Sequence, residues 1–210
     1  MADLDFLTAY TNANAELLVM LPDSTVERIT GLSADQIRER CPLLYFAFEE
    51  PLQSPRQASI EATSLEVVTC FLRFLYTCNY LKSDEEPQGC SLLLHAEICK
   101  MAEDFQVPEL QVSAYVNFME STEWACSIPS PPLGLCDAIQ FIYKHLACDS
   151  SRQQQGLVDS LLNYCLSSFK YHKLGENPEF RQTVFANPTF HKQLCETSMA
   201  RDFNDEGKQL

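Results

Sequence analysis

Ten cysteines and four histidines are the residues of this chain best equipped for chemistry, and their placement decides what they could do. His145 and Cys148, in the run HLAC, are spaced to share a helix face, and Cys165 with His172 could complete a tetrahedral zinc set. Metal sites usually present two tight ligand pairs, and only this one is tight. His145 therefore reads as a partly exposed helix residue and Cys148 as a residue near a helix end, with no metal expected. Any cysteine could pair with a histidine as nucleophile and base, yet no spacing singles out a pair. Cys70 in VVTCFL, Cys99 in EICKMA and Cys165 in NYCLSSF sit inside apolar helical patterns, where a thiol serves as a small core residue. The paired carboxylates Glu49-Glu50 and Asp84-Glu85-Glu86 fall in loops or at helix ends without a basic partner, which reads as solvated surface and not as a general acid/base pair. No Gly-rich phosphate loop, HExxH, GxSxG or kinase-type set occurs. The chain reads as a non-enzyme without cofactor. The competing reading is a Cys-dependent enzyme or zinc protein using the helical C-terminal region.

What remains is function carried by surfaces. The formal charge of −14, over 210 residues that are 46% hydrophobic, repels phosphate backbones and anionic lipid, so neither direct nucleic-acid binding nor membrane binding is expected. The apolar runs are broken by charge well before the roughly 20 residues of a membrane span. The opening MADLDFL is acidic and lacks the basic region and apolar run of an export signal. Reduced thiols in the cytoplasm or nucleus are the corresponding expectation.

The elements that must position any such surface are legible in part. Residues 1–14 read as an N-terminal arm with Phe6, Leu7 and Tyr10 at helical spacing. Leu17–Leu21 and Thr25–Ile29 read as a hairpin about the turn Pro22-Asp23-Ser24. Ser33 caps a short helix through Arg40, with Ala34 and Ile37 inward; Pro42 opens an aromatic-rich helix, PLLYFAFEE, and Gln57–Ala62 is a short strand. Thr63 with Glu66 forms a capping box for the strongest helix. Its stripes Leu65/Val68/Leu72/Leu75 and Val67/Phe71/Phe74/Cys78 place it at the centre of a domain. After the polar break 82–89 come two helices, one carrying Leu94, Ile98, Met101 and Phe105, the other opened by Pro108. The Pro/Ser-rich stretch 127–132 is read as a linker. Beyond it the pattern is helical, with stripes Leu135/Ile139/Ile142/Leu146 and Leu157/Leu161/Cys165/Phe169. Two Asn-Pro helix starts follow at Asn177 and Asn187, each with a Phe anchor.

This order of hairpin, two short helices, strand, long buried helix and helical pair resembles the BTB/POZ family, in the form common in fungal proteins. Cys41-Pro42-Leu43-Leu44-Tyr45-Phe46 stands where the family has its Ser-Pro-Phe-Phe signature. Leu72-Arg73-Phe74-Leu75-Tyr76-Thr77-Cys78-Asn79-Tyr80 resembles its Tyr-Thr-Gly-x-Tyr helix end, with Cys78 in place of the turn glycine. Leu92–Ala96 followed by Met101–Leu110 resembles its "hydrophobic-Ala-Asp-Lys-Tyr-x-Ile-Pro-x-Leu" helical pair, and Asn177–Arg181 an element found after the domain in many fungal members. Ser33-Ala34 stands where His-Lys is usual, and an acidic insert, 83–89, occupies the place of a strand.

The fold class expected is α+β and mostly helical: a BTB/POZ-like domain over 15–126 and a helical C-terminal extension over 133–203, before a disordered tail at 204–210. The resemblance implies protein partners and a symmetric homodimer, with Phe6, Leu7, Tyr10, Ile37 and Leu44 as interface candidates; the alternative is that these residues cap the core of their own domain. It also implies recruitment to a cullin ubiquitin-ligase scaffold as substrate adaptor, or else a scaffold or transcription-associated dimer that binds no cullin. The hydrophobic-x-Glu motif of cullin-docking members is not evident here, so the adaptor branch rests on the helical pair. A second candidate surface for a basic partner is the acidic loop, with Tyr80, Asp84, Glu85 and Glu86.

Overall fold

The computed structural model describes residues 3–9, 13–48, 55–82, 85–146 and 152–202, with the side chains of α7 described from Gln155 onward. It divides into two compact units, Met1–Asp84 with Glu97–Val112, and Glu85–Ala96 with Ser113–Leu210. The chain is mostly helical with one small mixed sheet, an α+β architecture.

In the first unit, strands β1 (Ala15–Met20) and β2 (Val26–Leu32) form the antiparallel hairpin, and β3 (Arg56–Glu61) lies parallel to β1 on its other edge. The sheet order is β2-β1-β3. Alternation sets the buried face: Ala15, Leu17 and Val19 of β1, with Ala58 and Ile60 of β3, point into the core. The turn is held by Asp23, whose carboxylate accepts from the Thr25 N–H at 3.0 Å.

The short helices α1 (Ala34–Arg40) and α2 (Pro42–Ala47) connect β2 to β3. Ser33 caps α1 as read from sequence, accepting from the Gln36 N–H. Helix α3 (Leu65–Thr77) is buried from Val67 through Tyr76. Its cap is Ser64, which accepts from the Val67 N–H at 3.3 Å. The Thr63–Glu66 box is thus displaced by one residue, because the extended backbone at Ser64 puts that hydroxyl in reach. Cys78 is not part of a buried stripe: it is exposed and closes α3 in the left-handed conformation, φ 64°.

Helices α4 (Leu92–Asp104) and α5 (Pro108–Ala125) each lend residues to both units. The division therefore falls inside these helices, and the 127–132 stretch lies within the second unit. There the Ile128 carbonyl accepts from His172 at 2.8 Å and the Leu133 carbonyl from the Leu92 N–H at 2.8 Å, which pins the stretch at both ends. Gly134 follows at φ 72°, where a Cβ would stand 2.2 Å from Ser91 Oγ.

Among the described residues the second unit continues with the α-helices α6 (Leu135–His145), α7 (Arg152–Ser167), α8 (Pro178–Ala186) and α9 (Pro188–Ala200). The α6 stripe is buried throughout, as are Leu157, Leu161 and Cys165 of α7, whereas Phe169 is partly exposed because α7 has already ended. Asn177 caps α8 through the Glu179 and Phe180 N–H groups. Asn187 does not cap α9: its amide turns back and donates to the Thr183 carbonyl at 2.8 Å, closing α8 instead. Both Phe180 and Phe190 are buried anchors. The tail 204–210 lies outside the described residues.

Candidate functional site

The helix-end motif of α3 organises the first unit. Tyr76 Oη accepts the Ser33 N–H at 2.7 Å and Asn14 Oδ1 accepts the Ala34 N–H at 2.8 Å, so the orphan amides at the start of α1 are satisfied from outside the helix. Thr77 Oγ1 donates to the Arg73 carbonyl and accepts from the Asn79 N–H, which shapes the turn after α3. Arg73 is buried and donates to the Tyr80 carbonyl at 3.0 Å and the Asp3 carbonyl at 3.2 Å. Its guanidinium lies 5.5 Å from the Phe6 ring centre and 3.5 Å from the Asp3 carboxylate, which Lys82 also meets at 3.5 Å. The Asp5 backbone N–H, then Lys82 and Arg73, hold the Asp3 carboxyl below the usual carboxylate range.

This clamp decides where the expected interface residues go. The 3-10 helix Asp5–Ala9 is docked on α3, with Leu7 buried and Phe6 half-buried, 5.8 Å from the Tyr76 ring. Ile37 and Leu44 are wholly enclosed in their own unit. They are core residues, each on the buried side of its own short helix. Tyr80 is also enclosed, drawn in with its carbonyl under Arg73. Glu85 and Glu86 are exposed, while Tyr10 and Asp84 lie outside the described residues.

What these helices do present is a different set. Pro42, Leu43, Phe46 and Ala47 all face solvent on α2, with Phe46 77% exposed. Beside them Tyr45 is held between two guanidinium groups. Arg38 lies 5.6 Å and Arg56 5.4 Å from its ring centre, and Arg56 Nη1 donates to its hydroxyl at 2.8 Å. Tyr45 and Phe46 stand edge-on, 5.9 Å apart. The result is an apolar helix face whose Tyr45 packs against two arginines. The sequence did carry a signal for it: a helix of PLLYFA is apolar on every side, and one this short, lying on a core, must leave one of those sides outside.

The thiols give a contrasting picture. Cys41, Cys99, Cys136 and Cys165 are buried. Burial pushes all four thiols up, Cys99 to about 12, so they stay protonated at neutral pH. His172 is committed on both ring nitrogens, Nε2 donating to the Ile128 carbonyl and Nδ1 facing the Tyr164 hydroxyl at 2.7 Å. Cys148 lies outside the described residues, and among those described no cluster of three or more His, Cys, Asp or Glu residues is placed to hold a metal ion. Among the same residues no helix is long and apolar enough to cross a membrane.

No family model matches this chain, and no curated protein matches it either.

Proposed function

We propose that the chain is a non-catalytic protein-interaction module on a BTB/POZ-like fold, recruiting a protein partner, with a cullin scaffold as the partner to test first. The observation that carries this reading is the order of the first elements. A hairpin, two short helices, a third strand, the buried α3 and the α4/α5 pair follow one another in the order the resemblance implies. A finer detail agrees with it. Cys78 stands where the family has its turn glycine, and its backbone has the positive φ that glycine adopts without strain. The committed ring nitrogens of His172 and the protonated, enclosed thiols favour binding over thiol or zinc chemistry.

Among the described candidates for self-association, which the resemblance also implies, Ile37 and Leu44 are enclosed and Phe6 is half-buried.

Titration calorimetry with a purified cullin N-terminal domain tests the adaptor role. A saturable isotherm in the micromolar range or tighter, at about −8 kcal/mol or below, is the expected result. Absence of heat at several temperatures, with the chain folded by circular dichroism, would remove that role.

A further inference from the structure

We draw no further inference here: the strongest candidate, the polar groove that Thr122, Cys126, Ser160 and Tyr164 line between α5 and α7, has these hydroxyl and thiol groups already hydrogen-bonded within the chain, and nothing in the structure shows what would fill it.

Discussion

At the scale of single residues, Arg73 is the group on which most depends. It is enclosed, it bonds the Tyr80 and Asp3 carbonyls, and it carries the Phe6 ring. Arg73→Leu leaves the enclosed Tyr80 carbonyl without this donor and frees the N-terminal segment. The expected cost is about 2–3 kcal/mol in urea unfolding. Asp3→Asn, which keeps the carbonyl contact, is expected to cost clearly less. Equal costs would mean that the ion pair, and not the buried hydrogen bonds, holds the clamp. The thiols form a second residue-scale expectation. With a disulfide reagent at neutral pH, exposed Cys78 and Cys195 should react first, and Cys41, Cys99, Cys136 and Cys165 only on unfolding. Rapid reaction of one of the enclosed four in the folded chain would revive a thiol-based activity.

Elements explain how far sequence reading could go. Helix α1 and its Ser33 cap, the α6 stripe and the Asn177 cap were readable because each depends on neighbours within a few residues. Asn187 was not, since its amide could serve either the end of α8 or the start of α9, and only the packing of the two chose Thr183. Leu43 and Phe46 face outward while Ile37 and Leu44 are enclosed, a choice the sequence leaves open for a related reason: apolar character identifies a helix that touches a core without saying which side does. Cys78 offers a measurable consequence at this scale. A non-glycine residue at φ 64° is strained, and its side chain is exposed, so Cys78→Gly removes strain without losing burial. Relief of about 1 kcal/mol, reduced somewhat by the greater freedom of glycine in the unfolded chain, should raise the melting temperature. A lowered melting temperature would show that the side chain of Cys78 contributes to packing.

For the molecule as a whole, the acidic surface and the buried His95 make stability depend on pH. His95 is enclosed, and burial pulls its pKa below the ordinary histidine value, partly opposed by its bond to the Pro87 carbonyl at 3.0 Å. Above pH about 6.5 the ring is neutral whether the chain is folded or not, and it contributes no pH dependence. As pH falls below that value the unfolded chain takes up a proton that the folded chain resists, so stability declines until the depressed pKa is reached. Urea midpoints should therefore fall between neutral pH and pH 5, and fall less in His95→Gln. An identical loss in both would assign the effect to the surface carboxylates.

The account's most specific claim is recruitment to a cullin scaffold, and light scattering on a sizing column tests it most directly, with the full chain run alone and then mixed with a cullin N-terminal domain. The account expects a peak whose mass equals the sum of the two components and which is absent when either is injected alone. Two separate peaks at their own masses, at concentrations well above micromolar, would contradict it.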